Sequence, residues 1–70
     1  MKVFTLKKEF ITLVQYLKVE GYISSGGEAK MFIESHHIEL NNIKVTEKKK
    51  KIFPHNVLTI DKESITFKYD

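Results

Sequence analysis

The spacing of apolar residues changes from helical to alternating about halfway along this 70-residue chain. Between residues 10 and 36, positions three or four apart form apolar stripes, as on one face of a helix. These positions are Phe10, Leu13, Val14 and Leu17, followed by Ala29, Phe32, Ile33 and His36. Beyond residue 37, apolar and polar residues alternate, as in strands with one buried face. The pattern predicts an α+β domain with two short packed helices against a small antiparallel sheet.

A capping box marks the start of the first helix. Thr12 and Gln15 are three positions apart, so each side chain can bond the backbone N–H of the other residue. Gly21 suits the left-handed residue that follows many helices. The first helix is therefore predicted over residues 13–20.

A similar box, Ser25-Gly26-Gly27-Glu28, predicts a second helix over residues 26–35. Glycines at a helix start let a phosphate approach free backbone N–H groups at the positive end of the helix dipole. A plain capped start is the alternative, and the Glu28 carboxylate would compete for the same donors. The sequence alone leaves both interpretations open.

The strands are predicted from short apolar runs between turn residues. An irregular or edge strand is expected within residues 3–11, and four more segments follow the helices. These are residues 38–40 with 43–45, then 52–53, 57–60 and 65–69. Asn41 and Asn42 tolerate positive φ, which favours a two-residue hairpin turn between residues 40 and 43. Residues 54–56 and 61–64 are predicted as further turns.

Aromatic residues on apolar faces are assigned to the core. They are Phe10, Tyr16, Phe32 and Phe53. Leu13 and Leu17 are expected to pack the first helix against the second. A single small core is all that a chain of this length supports, so residues 1–70 are interpreted as one domain.

Composition excludes several classes of function. The chain has no cysteine, so it has no disulfide, thiolate zinc site or cysteine nucleophile. His36, His37 and His55 do not have the spacing of a metal site, and no cofactor or metal is expected. No paired carboxylates, Ser/His/Asp arrangement or phosphate loop is visible, so we do not expect an enzyme. The chain shows neither a signal peptide nor a membrane span, which predicts a cytoplasmic protein.

Four consecutive lysines, at residues 48–51, supply the whole formal net charge of +3. The rest of the chain carries eight lysines against nine acidic residues. Such a run either binds a polyanion or forms a solvated loop. In a strand, alternate lysines would point to opposite faces, and only a loop would let all four reach one partner.

The order of motifs resembles a known family. Ser25-Gly26-Gly27-Glu28-Ala29-Lys30, then Phe32-Ile33, then Ile38-Glu39-Leu40-Asn41 resemble the αL motif of the S-four domain, named after ribosomal small-subunit protein four. The resemblance covers about residues 9–60 and is strongest to the small stand-alone bacterial YaaA and YbcJ group. One departure is Gly26, where the family usually has an arginine that contacts phosphate.

This resemblance implies an RNA-binding module for structured RNA, such as ribosomal RNA or a ribosome assembly particle, recognised through phosphates and shape. The implied RNA-binding residues are Ser25, Gly26, Gly27, Lys30, His37, Asn41, Lys44, Lys48, Lys49, Lys50 and Lys51. RNA and ribosomal proteins are the expected partners, and a monomer with no membrane contact is expected. The alternative is a protein-interaction adaptor whose basic loop meets an acidic partner in a ribosome or replication assembly.

Overall fold

Two short helices and seven strands make up the protein in a computed structural model that describes residues 1–70. The strands are β1 (Lys2–Leu6), β2 (Ile11–Thr12), β3 (Ile38–Leu40), β4 (Ile43–Lys44), β5 (Lys51–Ile52), β6 (Val57–Ile60) and β7 (Glu63–Tyr69). The helices are α1 (Leu13–Val19) and α2 (Ala29–Ser35), and a 3₁₀ turn (Gly26–Glu28) leads into α2. The predicted α+β class is confirmed. Neither helix has the length and apolar character needed to cross a membrane.

The strands form one five-stranded sheet and one two-stranded ribbon. The sheet has the order β1-β7-β6-β3-β4, and β2 pairs with β5 in the ribbon. The sheet is mixed rather than wholly antiparallel, because β1 runs parallel to β7 with Phe4 opposite Phe67. The predicted strand over residues 3–11 is thus two strands with different partners. Local alternation indicates a strand but does not specify which strand it will pair with.

The core lies on the face of the sheet that the helices cover. Alternate residues of β3, β6 and β7 are buried, as expected for a sheet with one solvated face. Tyr16 of α1 is fully buried, and its ring packs edge-on against Phe4 and Phe67 at centroid distances of 5.1 and 5.3 Å. Leu13 and Leu17 are buried beside it. These contacts fix the position of α1 over the sheet.

The first capping box forms as predicted. The Thr12 hydroxyl accepts from the Gln15 backbone N–H at 3.3 Å, and the Gln15 side chain accepts from the Thr12 N–H at 3.0 Å. The helix ends at Val19, one residue short of the predicted end, and Gly21 follows in the left-handed region at φ 81°. The start of α1 is therefore determined largely by local sequence.

The prediction of a second capping box at Ser25 is wrong. Ser25 makes no capping hydrogen bond, and the first residues form a 3₁₀ turn instead of α-helix. The Glu28 carboxylate bonds the backbone N–H of Ser24 and the hydroxyls of Ser24 and Ser25. The Glu28 side chain thus reaches Ser24, one residue before the expected partner, and the α-helix proper begins at Ala29.

The predicted hairpin turn is confirmed. Asn41 and Asn42 have φ values of 52° and 69°, as a two-residue turn of this hand requires. His55 adopts φ 75° in the turn before β6, and Asp61 adopts φ 56° in the turn before β7. The polar turn residues thus supply the positive φ values for which glycine is often used.

The assignment of Phe53 to the core is wrong. Its side chain is 45% exposed. Phe32 is partly buried against the core, whereas Phe10 is partly buried outside the core cluster. The strand that precedes Phe53 has only two residues and pairs with the short β2 rather than with the main sheet. Phe53 therefore lies beyond the area that the helices cover, and its ring packs on Phe10 with centroids 5.6 Å apart.

Candidate nucleic-acid interface

The lysine loop (residues 48–51) packs directly on the first turn of α1. The backbone N–H groups of Leu13 and Val14 donate to the carbonyl oxygens of Lys50 and Lys48, each at 2.8 Å. Only Lys51 belongs to a strand, and Lys48 and Lys49 form a turn. The four lysine side chains therefore do not alternate between two opposite faces, as they would in a strand.

These hydrogen bonds also settle the role of the N-terminus of α1. The first backbone N–H groups of a helix lack partners within the helix and often bind anions. Here the lysine loop takes two of them and the Thr12 hydroxyl takes a third. The N-terminus of α1 is therefore used to hold the lysine loop in place.

Lys48 connects the lysine loop to the 3₁₀ turn. Its ammonium group donates to the carbonyl oxygen of Gly26 at 3.4 Å. Gly26 also lies against α1, since a Cβ atom built there would be 4.0 Å from Val14 Cγ2. The two segments that the sequence singled out, Ser25-Gly26-Gly27 and the lysine run, are thus neighbours in space.

Charges of both signs surround the glycines. The hydroxyl and backbone N–H of Ser24 stabilise the carboxylate of Glu28 and lower its pKa. Glu28 therefore keeps its negative charge at the end of the 3₁₀ turn, while the Lys48 ammonium lies on the Gly26 carbonyl and Lys30 is exposed in the first turn of α2. The glycines alone would be a poor phosphate site, and the neighbouring lysines supply the attraction.

A cleft of about 310 Å³ separates the β3–β4 hairpin from the lysine loop. Asn41, Lys44, Lys50 and Lys51 line this hairpin cleft together with Glu47. Three predicted lysines thus meet at one site, with a single carboxylate among them. Strand register also pairs Lys44 with Glu39, so Lys44 lies at the rim between the cleft and the outer face of the sheet.

Asn41 has a structural role in the hairpin cleft. Its backbone N–H donates to the carbonyl oxygen of Val57, and its side-chain oxygen accepts from the Val57 N–H, both at 2.8 Å. These two bonds tie the hairpin turn to β6. The side-chain NH₂ of Asn41 makes neither of these bonds and can donate to a partner molecule.

His37 lies apart from the other candidate residues. It precedes β3, whereas the hairpin cleft begins at the opposite end of that strand, about 13 Å away at the usual rise per residue. Its Nε2 is 2.6 Å from Glu39 Oε2, and its backbone N–H donates to Asp61. The structure therefore gives His37 local partners and separates it from the lysine loop.

Internal ion pairs do not neutralise the lysine loop. The lysines that pair with carboxylates are Lys2 and Lys7, which bond Glu20 and Asp70. Within the loop, Lys48 bonds a carbonyl oxygen and Lys51 lies with its ammonium group 4.9 Å from the centroid of the Phe10 ring. The four loop lysines thus form no ion pair within the chain.

Sequence reasoning missed several residues at this site. Phe10 and Phe53 were assigned to the core and Glu47 was not considered, yet Phe53 and Glu47 line the hairpin cleft and Phe10 contacts Lys51. An aromatic residue two positions after a lysine run, and just before Pro54, is the signal that could have pointed to Phe53. No three side chains of His, Cys, Asp or Glu lie close enough together to hold a metal ion.

Comparison with known proteins adds two findings. A family model described as the S4 domain matches residues 4–68. A Bacillus subtilis (strain 168) protein described as "Probable ribosome maturation protein RlbA" is 33% identical over 57 residues, which cover 81% of this chain and 80% of that protein.

Proposed function

The chain belongs to the S4 domain family, and from that membership we propose that it is an RNA-binding module that recognises structured RNA through phosphates and shape. The observation that carries the proposal is the lysine loop, in which four adjacent cations have no carboxylate partner and are held by backbone hydrogen bonds to α1. A rigid, unpaired cluster of this kind suits a phosphate backbone.

The contacts would be distributed over one continuous surface. The lysine loop and Lys44 would contact phosphates around the hairpin cleft, and Lys30 would contact them beside the 3₁₀ turn. Double-stranded RNA offers mainly phosphates and 2′-hydroxyl groups to side chains, so weak sequence preference is expected. Lysine acts as a point charge without the fork of arginine, which also favours recognition of shape over sequence.

Ribosomal RNA, free or in an assembly particle, is the proposed target. The support is the description of the Bacillus subtilis relative as a ribosome maturation protein. This role would place the chain in the cytoplasm beside ribosomal proteins, as a monomer whose own surface provides the whole site. It is a binding role without catalysis, in keeping with membership of a family of RNA-binding domains.

Salt dependence tests the mechanism. Simultaneous contacts from four to five of these six lysines predict that log K falls against log salt with a slope of roughly −3 to −4. We would measure binding to a ribosomal RNA helix junction by fluorescence anisotropy between about 50 and about 200 mM salt. A slope near zero would rule out the phosphate mechanism.

Matched double variants localise the site. Lys49→Gln with Lys50→Gln removes two cations of the lysine loop, and Lys62→Gln with Lys68→Gln removes two exposed cations elsewhere. The first pair should reduce the slope by about 2 and the second should leave it nearly unchanged. Equal effects of the two pairs would show that only net charge matters.

The adaptor alternative makes a different prediction in the same assay. A protein-interaction adaptor would bind neither the RNA nor a DNA duplex of the same sequence, at any salt concentration. An RNA-binding module retains the RNA more tightly than the DNA, because A-form and B-form grooves differ in width and only RNA carries the 2′-hydroxyl.

A further inference from the structure

The hairpin cleft contains two exposed apolar side chains that the phosphate mechanism does not use. Ile43 is 72% exposed and Phe53 is 45% exposed, and both line the cleft. Large apolar side chains grouped at a charged surface commonly mark an interaction site. Phosphate binding requires cations and donors, so these two residues need another explanation.

Phe53 has a fixed position at the cleft. Its backbone N–H donates to the Asn56 side-chain oxygen at 2.8 Å, and its ring packs on Phe10. Phe10 in turn lies under the ammonium group of Lys51. The ring is therefore a preorganised flat surface next to two lysines, Lys50 and Lys51, that also line the cleft.

Two amides with a defined orientation line the same cleft. The side-chain oxygens of Asn41 and Asn56 accept from the backbone N–H groups of Val57 and Phe53, which leaves the NH₂ group of each as a donor. Donors of this kind match the carbonyl oxygens on the edges of uracil and guanine. An apolar ligand in the cleft would leave these two NH₂ groups without a hydrogen-bond acceptor.

We propose that the hairpin cleft takes one unpaired nucleobase of the bound RNA, with Phe53 and Ile43 contacting its faces and the lysines holding the flanking phosphates. The inference rests on the proposed function and specifies its substrate class as helical RNA with a bulged or unpaired nucleotide. Charge favours this occupant, because three lysines and one glutamate line the cleft. Its volume of about 310 Å³ is at the small end of ligand sites and suits a single base.

A pair of RNAs tests the proposal. One is a fully paired stem, and the other is the same stem with one bulged uridine. The wild-type chain should bind the bulged stem about tenfold more tightly, since stacking of one base on an aromatic side chain is worth about that factor or more. Phe53→Ala should abolish the preference and change affinity for the paired stem less than about twofold, because the lysines remain.

Ile43→Thr supplies a second variant, and Val19→Thr is its matched control. Both residues are β-branched and exposed, and Val19 lies at the end of α1 away from the cleft. Ile43→Thr should reduce the preference severalfold and Val19→Thr should retain it. Because Ile43 is so exposed, this variant decides the matter even if Phe53→Ala does not fold.

Several results would overturn the inference. Equal binding of both stems by the wild type, with a steep salt dependence, would overturn the base site and leave the proposed function standing. A bulge preference that survives both cleft variants would place the base elsewhere. Absence of binding to either stem would overturn both proposals together.

Discussion

The ammonium group of Lys48 donates to the carbonyl oxygen of Gly26 across 3.4 Å, and so joins the lysine loop to the 3₁₀ turn before α2. The backbone of Lys48 simultaneously accepts from Val14 at the start of α1. One residue thus links three segments that lie far apart in the sequence. A phosphate near this point would be within reach of the same ammonium group.

Lys48→Met should weaken RNA binding with little effect on folding. Methionine keeps the length of the side chain and removes the charge, so one phosphate contact is lost and the salt slope falls by about 1. The hydrogen bond to Gly26 is exposed and should contribute less than about 1 kcal/mol to the free energy of unfolding. Anisotropy titrations and urea denaturation measure the two quantities. Lys62→Met is the control, and unchanged affinity of Lys48→Met would mean that Lys48 is purely structural.

Gly26→Arg should strengthen RNA binding. An arginine here would add a cation beside the lysine loop, and a Cβ atom at this position meets only Val14 Cγ2 at an ordinary 4.0 Å. The backbone is outside the left-handed region, so a side chain is accommodated without strain. One added contact should raise affinity severalfold at low salt and steepen the salt slope by about 1. Gly26→Ala controls for the backbone change, and an arginine variant that binds no better than the alanine variant would argue against a phosphate here.

Gly21→Ala should lower stability, whereas Gly27→Ala should not. Gly21 has φ 81°, where a Cβ atom costs about 1 kcal/mol even though no atom lies within 4 Å. Gly27 is outside that region, and an added Cβ would lie 3.9 Å from Ser25 Oγ. Gly21→Ala should therefore lower the free energy of unfolding by about 1 kcal/mol, and Gly27→Ala should leave it equal or slightly raised. Urea denaturation of both variants would reveal any reversal of this order.

Tyr16→Phe should not destabilise the protein. The Tyr16 hydroxyl is buried with no hydrogen-bond partner in the chain, and burial raises the pKa of this phenol. The ring supplies the packing against Phe4 and Phe67, which phenylalanine retains. Removing an unsatisfied buried polar group should leave the free energy of unfolding equal or raise it by about 1 kcal/mol. A clear loss of stability in urea denaturation would indicate that the hydroxyl is bonded in solution.

Asp61→Asn should make the stability of the protein less dependent on pH in the acid range. The His36 side chain, and then the His37 backbone N–H, lower the pKa of Asp61 below its ordinary value of 3.8. A depressed pKa in the folded state contributes stability that is present above pH 3.8 and is lost as pH falls through the folded value. The wild type should therefore exceed the variant in stability near neutral pH, and the difference should shrink below about pH 4. Asparagine also tolerates the φ of 56° found here, so the backbone should not change.

Thermal melts between about pH 2 and about pH 7 measure this difference. Glu63→Gln is a suitable control, because Glu63 accepts from the Tyr22 hydroxyl and lies outside the His36–Asp61 pair. A stability difference that is constant across this range would show that the carboxylate of Asp61 does not act through its charge.

Much of the fold could be predicted because its signals are local. The Thr12–Gln15 capping box, the helical stripe of α1 and the Asn41-Asn42 turn each depend on residues within four positions of one another. The box at Ser25 failed for an equally local reason, since Ser24 offered Glu28 a competing N–H and hydroxyl.

The candidate site was predictable as a set of residues but not as a surface. The lysine run and the Ser25–Lys30 motif were visible in the sequence, whereas the bond that joins Lys48 to Gly26 spans 22 positions. His37 was among the RNA-binding residues that the resemblance implied, and its partners turned out to be Glu39 and Asp61. Phe53 was assigned to the core because its side chain is apolar. Apolar character alone does not show how far the helices extend over the sheet, and so the assignment was wrong.

Sequence alone determined the α+β class, the two helices, the hairpin and the concentration of positive charge in one run, since periodicity, capping and turn chemistry act over a few residues. Tertiary structure alone decided that β1 would pair in parallel with β7, that the lysine loop would hold the start of α1, and that Phe53 would remain at the surface. Those outcomes depend on which distant backbone groups form hydrogen bonds and which apolar faces are buried against each other as the chain folds. No short segment of sequence contains both partners.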